Sequence, residues 1–426
     1  MKKYLDNLPK DLQGFLSVVC RIASRNNRKI YLVGGFVRDL ILGVRNFDLD
    51  ILVEGDGIKF AELLADQFDA RMVSHMRFGT ATVMIRHGLK VDIATARKEY
   101  YPKPACLPEV SFSQLKDDLA RRDFTINAMA ISLNKPDFGK LIDFFGGRKD
   151  LREKKIKVLH DLSFIDDPTR ILRAIRFEKR YDFRIEPKTF VFLKQAVAVG
   201  MLEKVQPQRL RDELVLMLKE SNPIEPIRRT HKLTGFSFLG KKLSLTKECY
   251  QFLHSAQRQI NWYKKTYPAR RKLDDWLIYL IALIGQFSPG DSEKLCRKYA
   301  FRRGEEKRII GFKKINRKFV KELSRKNINP SSIFVLLEPL SYEVILAVKA
   351  KYKDSSLQKN IANFFEVYNG MRVCISGDDL HQLGISPGPY YQKIFSKVLK
   401  AKLDGRLASR DEELALIRKL VRGRRR

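Results

Sequence analysis

The spacing of apolar residues changes its period once along the chain. In the first third, apolar positions fall in short runs and alternations. KIYLVGG (Lys29–Gly35) predicts an apolar strand ending at glycines. FVRDLILG then predicts a short helix that stops at Gly43, and NFDLDILVEG a second strand closed by the turn residues EGDG. IKFAELLADQF has helical spacing, and GTATVMIRHGLKVDIATA predicts two strands turning at His87-Gly88. From Arg148 the strand signals stop. DPTRILRAIRFEKRY, KTFVFLKQAVAVGML, RLRDELVLMLKE, DDWLIYLIALIG and SYEVILAVKAKY all repeat apolar residues near 3.6. The fold class is therefore α+β, with a small mixed sheet first and helices after it. The last segment reads as a small helical module around SPGP, before a basic RGRRR end.

Composition sharpens that picture mainly through charge. The 426 residues carry a formal net charge of +34, far beyond what solubility needs, which points to a polyanion such as nucleic acid. The longest apolar run, Trp276–Phe287, is too short for a bilayer span and predicts a buried core helix. The N-terminal stretch has no signal-peptide core. The expected location is the cytoplasm, with no membrane partner. The five cysteines lie far apart without metal-finger or redox spacing, and the six histidines do not cluster. Reduced thiols and no zinc site are expected.

Candidate chemistry begins in the second strand. Side chains alternate on a strand, so Asp48 and Asp50 share one side while Leu49 and Ile51 face the core. Two close carboxylates repel unless a cation sits between them. A divalent metal such as Mg²⁺ suits oxygen ligands and keeps positions open for phosphate. Asp92, on a neighbouring predicted strand, offers a third carboxylate, and such a trio would hold two metals for nucleotidyl transfer. Taken alone, DLD reads more simply as two solvated acids at a strand end.

Three further stretches carry polar groups suited to a nucleotide. Gly34 and Gly35 end a strand and open a helix, which lets backbone N–H groups approach a phosphate, and Arg38 on the first turn offers a bidentate clamp. Simple turn chemistry gives the same glycines. In DDLARRDFTINAMA (Asp117–Ala130), Arg122 and Asp123 precede an apolar run, and Asp123 and Asn127 share a face if the segment is helical. This is either a helix start with an aspartate cap or a phosphate and ribose grip. In DDPTRILRAIRF (Asp166–Phe177), Arg170, Arg173 and Arg176 form one ridge, which needs an anion or acids opposite. Asp167 and Arg170 together present the acceptors and donors that read a base edge. A solvated basic face is the plainer alternative.

LVGGFVRDLILG…FDLDI, RRDFTINAMA and DDPTRILRAIRF, in this order, resemble the class II tRNA nucleotidyltransferase and bacterial poly(A) polymerase family of the DNA polymerase beta superfamily. The resemblance covers roughly residues 29–220, and ISGDDLHQLGISPGP more loosely matches a C-terminal module of that family. It implies a nucleotidyltransferase head at 1–147, a helical neck with base recognition at 148–225, a helical body at 226–365 and a tRNA-binding tail at 366–426. It implies Asp48 and Asp50 as the metal-binding catalytic pair, with Asp92 a further acidic position. It implies Gly34, Gly35 and Arg38 at the triphosphate, and Arg122, Asp123 and Asn127 at phosphate and ribose. Asp167 and Arg170 match the amino-acid template for the incoming base, supported by Arg173 and Arg176. Asp166 stands where a glutamate is more usual.

The implied activity is template-independent addition of CCA, or of its terminal A, to tRNA 3′ ends from CTP and ATP. Two Mg²⁺ ions are implied, and tRNA would be gripped at its acceptor arm and elbow; no obligate protein partner is inferred. Phe301–Lys318, with eight basic residues against two acids, is one candidate tRNA patch or an ordinary solvated helix. Ala96–Asp118 occupies the place of the family's flexible loop, which argues against CC-only addition. Poly(A) synthesis on other RNA 3′ ends is the alternative, against which MRFGTATVMI stands in place of a GRRF-like signature. A non-catalytic RNA-binding protein is the third reading, and the intact Asp48 and Asp50 argue against it.

Overall fold

Strand β1 (Lys29–Val33) lies near the middle of a seven-stranded sheet. The other members are β2 (Leu49–Glu54), β3 (Arg71–His75), β4 (Thr80–Met84), β5 (Lys90–Thr95), β8 (Ala130–Ser132) and β9 (Leu141–Ile142), in the order β3-β4-β5-β2-β1-β8-β9. Strands β6 (Arg97–Tyr100) and β7 (Glu109–Phe112) pair separately as an antiparallel ribbon. The computed structural model describes residues 2–45, 48–85, 88–240 and 243–422, in two units, Met1–Phe238 and Leu239–Arg426. Asn46, Phe47, His87 and the terminal basic residues 423–426 lie outside the described residues. The expected turn at His87-Gly88 is thus described only from Gly88, which has a φ of +81°.

One feature of the sheet positions the site. Strands β2 and β5 are parallel, joined through helix Gly57–Phe68 and the β3–β4 hairpin, and their register sets Asp50 opposite Asp92. Residues facing each other in that register share a sheet face. Leu49, Ile51 and Val53 are buried on the opposite face. On the Asp50 face, Leu52 packs with Tyr31, Val33, Leu115 and Leu119 under helix Leu115–Ala120. The helix covers Leu52 and stops short of Asp50, so the sheet face opens at the carboxylate.

The helical expectations after residue 148 are met by helices Thr169–Arg180, Pro187–Ala198, Pro207–Leu218, Asp275–Leu283 and Tyr342–Lys351. Trp276–Leu283 is buried throughout, as a core helix should be. Among the described residues, no single helix is long and apolar enough to cross a membrane. The final module has its own core of Ile375, Leu380, Ile385, Ile394, Val398 and Ile417.

The structure departs from the sequence reading at short or exposed strands. Strand β3 (RMVSH) is a solvent-facing edge strand without apolar alternation, so it left no signal. Lys155–Ile156 pairs with Arg184–Ile185, so pairing does not end at 148, but two residues are too few for a period. The loop expected at Ala96–Asp118 contains the β6–β7 ribbon. The segment from Asp123 to Asn127 is not α-helical: a single 3₁₀ turn, Thr125–Asn127, leads into β8. The run INAMA is buried on all sides there, which removes the one-sided pattern that separates helix from strand.

In the Leu239–Arg426 unit the proposed basic stretch is divided in its roles. Arg308 pairs with Asp274 at 2.5 Å and Glu343 at 3.4 Å. Lys313 donates to the carbonyls of Ile284, Gly285 and Phe287 at 2.6–3.0 Å, and burial, then the Lys351 charge, push its pKa down to about 8. Arg302, Arg303, Lys307, Lys314, Arg317 and Lys318 remain exposed.

Candidate active site

A cavity of about 920 Å³ in the Met1–Phe238 unit is lined by Gly34, Gly35, Arg38, Asp50, Asp92, Arg122, Asp123, Asn127, Asp167, Arg170, Arg173 and Arg176. These are all but one of the residues given a site role from the sequence. The exception is Asp48, which lies one residue before β2, is exposed and does not line the cavity. Asp166 does not line it either, and sits 3.8 Å from His160.

The strand-to-helix turn brings three elements together. Gly34 has φ +71° and ψ −133°, a region closed to side chains. A Cβ there would lie 2.7 Å from Arg122 Nη1 and 3.5 Å from Asp50 Oδ2. Helix Gly35–Leu42 starts directly after it, with its first N–H groups at the cavity. Gly34→Ala should therefore cost about 1–3 kcal/mol from backbone strain and displace Arg122. Thermal unfolding and ATP affinity should both fall; an unchanged ATP affinity would separate the turn from the site.

Asp50 is half-buried at the cavity, and its pKa is pushed up to about 6. Burial is the main cause; the Asp92 and Asp48 charges add to it, while Arg122 and Lys90 oppose it. Asp92 is already engaged, accepting from Thr82 Oγ1 at 2.5 Å and Lys90 Nζ at 2.6 Å. Among the described residues no three acidic, His or Cys side chains are gathered as a preformed metal cage. The donor set nevertheless fits Mg²⁺: a half-buried carboxylate destabilised by two neighbouring acids, open to a cavity, needs a cation and leaves ligand positions free. The raised pKa gives the sign of a test. Its stabilising contribution is complete below the unfolded value near 4 and is lost as pH rises through about 6. Mg²⁺ should thus raise the unfolding temperature more at pH 7.5 than at pH 5, and Asp50→Asn should erase that difference. An equal shift at both pH values in wild type would contradict the assignment.

Arg121 and Arg122 are held by Asp118, a residue that drew no role from the sequence. Asp118 is fully buried; Oδ1 accepts from Arg121 Nε and Nη2 at 2.9 and 2.7 Å, and Oδ2 from Arg122 Nε and Nη2 at 3.3 and 3.0 Å. Burial opposes the Asp118 charge, but the Arg122 and Arg121 guanidiniums hold its pKa below the usual range. The i,i+3 and i,i+4 spacing was the available signal. Glu99 completes the pair, taking Arg121 Nη1 at 2.8 Å and Arg97 Nη2 at 3.0 Å.

Asp123 and Asn127 do meet, although not across a helix: Asn127 Nδ2 donates to Asp123 Oδ1 at 2.9 Å. Arg173 Nε and Nη2 donate to Asp123 Oδ2 at 2.9 and 2.6 Å. Burial would raise this carboxyl, but Arg173 and Asn127 bring it down to about 2. Arg38 departs from the open clamp expected of it. Its Nε and Nη2 bind Asp39 at 2.8 and 2.9 Å, its Nη1 binds Asn127 Oδ1 at 2.6 Å, and Phe177 and Tyr181 flank the guanidinium at 5.3 and 4.8 Å. Arg38 is thus a buried bracket for Asn127 rather than a free anion hook.

The arginine ridge on helix Thr169–Arg180 has acids opposite, on and just beyond helix Pro207–Leu218. Glu213 pairs with Arg173 at 3.0 Å and Arg176 at 3.3 Å, and Glu220 with Arg176 at 3.5 Å. Arg170 donates to Ser163 Oγ and to the Arg121 carbonyl, both at 2.7 Å. Asp167 Oδ1 accepts from Thr169 N at 3.1 Å and Thr169 Oγ1 at 2.6 Å, and Oδ2 pairs with Arg209 at 2.8 Å. Arg209 and Glu213 were missed because their partners are distant in sequence, and Asp39 because it adjoins its partner Arg38, where no helical spacing marks a contact. Tyr101, Leu107 and Pro108, on and beside the β6–β7 ribbon, close another wall.

Residues 30–157 match the family described as the poly A polymerase head domain. Over 97% of this chain it is 39% identical to an A-adding tRNA nucleotidyltransferase of Geobacter sulfurreducens, and it spans 48%, about half, of that curated relative. A solved CCA-adding enzyme (apo form II) is 38% identical, with a TM-score of 0.74 over 98% of this chain and 97% of that one. The Thermotoga maritima CCA-adding enzyme complexed with tRNA is 36% identical, with a TM-score of 0.70 over 99% and 98%.

Proposed function

The chain belongs to the class II tRNA nucleotidyltransferase and bacterial poly(A) polymerase family, and on that basis we propose that it adds nucleotides to the 3′ end of tRNA. ATP supplies the terminal A, the step shared by A-adding and full CCA-adding enzymes, and pyrophosphate leaves. The observation that carries this reading is a single cavity with two different walls. One wall is the sheet face bearing Asp50 and Asp92; the other is the helical wall bearing Asp167 and Arg170.

Asp50, with Asp48 completing the pair, would hold Mg²⁺, two ions being expected. When bound, the metal lowers the pKa of the attacking 3′-hydroxyl and neutralises charge on the triphosphate. The chain does the rest. The Gly34-Gly35 turn brings backbone N–H groups to the triphosphate, next to the Arg122 guanidinium. Asp118 keeps Arg122 aimed at that turn. Asp123 and Asn127, braced by Arg173 and Arg38, shape the ribose end. Arg170 donates and Asp167 accepts at the base edge. Adenine and cytosine both place an exocyclic amine beside a ring-nitrogen acceptor, so both fit; guanine and uracil place a carbonyl there.

In this reading 1–147 is the catalytic head, 148–225 the base-reading neck, 226–365 the body and 366–426 the tail, working on tRNA in the cytoplasm. The exposed cations around residues 302–318 would meet acceptor-arm and elbow phosphates. The test uses tRNA transcripts ending at the discriminator base, at C and at CC, each with CTP, ATP or both. Incorporation of A onto the CC-ending transcript is expected. Added C on the shorter transcripts marks a full CCA enzyme, and its absence an A-adding one. Long A tails on unrelated RNA would overturn the tRNA assignment.

A further inference from the structure

Helix Thr169–Arg180 meets the segment running from helix Pro207–Leu218 to Glu220 through a row of ion pairs. Over most of the row that second segment supplies the acids: Glu213 holds Arg173 and Arg176, and Glu220 holds Arg176 and Arg180. At the N-terminal end of both helices the polarity reverses. There Arg209, on the first turn of Pro207–Leu218, reaches Asp167 Oδ2 at 2.8 Å. An ionised carboxylate has about four lone-pair sites. Thr169 N and Oγ1 occupy Oδ1, and the Arg209 guanidinium is ion-paired with Oδ2. Acceptor capacity remains open on Oδ2, in a residue that lines the cavity.

Arg209 gains little for itself. Its other terminal nitrogen, Nη1, is buried without a hydrogen-bond partner among the described residues. Leaving a buried donor unpaired has a cost. Such a cost is expected where placement of a neighbouring group, rather than stability, fixes the residue.

We propose that Arg209 is a positioning residue for nucleotide selection, its charge pinning Asp167 so that an open acceptor site on Oδ2 faces the base. The pinned carboxylate accepts from a base carrying an exocyclic amine and repels a base carrying a carbonyl at that place. This rests on the base-reading role of Asp167 proposed above. With Arg209 removed, Oδ2 loses the charge that fixes it and the carboxylate turns about its side-chain bonds, so the distinction blurs.

The test compares ATP with ITP, which replaces the exocyclic amine by a carbonyl, on a CC-ending tRNA. The wild-type chain should favour ATP in kcat/KM. In Arg209→Ala the ATP-to-ITP ratio should fall about tenfold, the loss expected for one discriminating hydrogen bond of about 1.4 kcal/mol. Arg209→Lys, which keeps one donor for Oδ2, should recover part of the ratio, and Arg209→Met serves if the alanine variant does not fold. A residue that merely staples two helices would lower both substrates equally; an unchanged ratio in folded Arg209→Ala or Arg209→Met therefore overturns the proposal. A wild-type chain that incorporates neither nucleotide overturns the nucleotidyltransferase reading itself, and this inference with it.

Discussion

Replacing Asp50 by asparagine or alanine removes nucleotide incorporation, by about a thousandfold or more, while tRNA affinity stays close to wild type. Asp50 is the carboxylate that the sheet register sets beside Asp92, and the one whose ionisation burial and neighbouring acids most oppose. A group held in that state serves a cation. Electrostatic stabilisation of developing charge usually contributes most to the rate of such reactions, and one lost donor alone costs about 10²–10³ in rate. Losing a metal ligand removes more than one such contact. Asp48→Ala should act in the same direction. Its exposed place before β2 makes it the sharper test of the metal pair, because its role is drawn from the strand spacing and not from the cavity wall. Filter binding with labelled tRNA and single-turnover incorporation read the two effects separately. Retained incorporation in Asp50→Ala would refute the metal assignment.

Arg173→Ala is expected to destabilise the Met1–Phe238 unit by about 3–5 kcal/mol, the cost of leaving a buried charge without its partner. Asp123 is almost wholly buried, and Arg173 gives it two of its hydrogen bonds. The sign of the pH dependence follows from its pKa of about 2. A depressed carboxylate stabilises the fold above its unfolded value near 4, and that contribution is lost as pH falls through about 2. The variant lacks the contribution at every pH. Its deficit against wild type should therefore be widest at pH 7 and narrow between about pH 4 and pH 2. Urea unfolding followed by circular dichroism measures this. A gap independent of pH would show that Arg173 acts by packing over Phe177 rather than through Asp123. Incorporation should fall as well, since Asp123 also places Asn127, which Arg38 grips from the other side.

Much of the site is legible in the chain itself. The alternation in LDILVE is enough to put Asp50 on the side opposite Leu49 and Ile51, and Gly34-Gly35 marks the turn beside it; Asp48, one residue before the strand, lies beyond that alternation. The ridge of Arg170, Arg173 and Arg176 is likewise a local, periodic signal. What cannot be read locally is the other half of the long-range pairs. Glu213 lies 40 residues from Arg173, and Tyr181 lies 142 from Asp39. No local period encodes such partners. Arg38 has the look of a free phosphate clamp for a different reason: Asp39, which holds it, is the next residue, and adjacent side chains share no helical face. The helix expected across Asp123–Asn127 fails for a related reason. A short apolar run buried on every side has no face to announce its period, and the contact it suggests is made by a 3₁₀ turn instead.

All of this turns on the cavity holding a nucleoside triphosphate with its base against Asp167 and Arg170 and its phosphates toward Asp50. Incubation of the full chain with Mg²⁺, labelled ATP and a tRNA transcript ending in CC, resolved on a sequencing gel, puts that arrangement to the test in one step. A product longer by one nucleotide, with no further extension, is the expected result. No extension of that tRNA, or a ladder of added A residues, would contradict it.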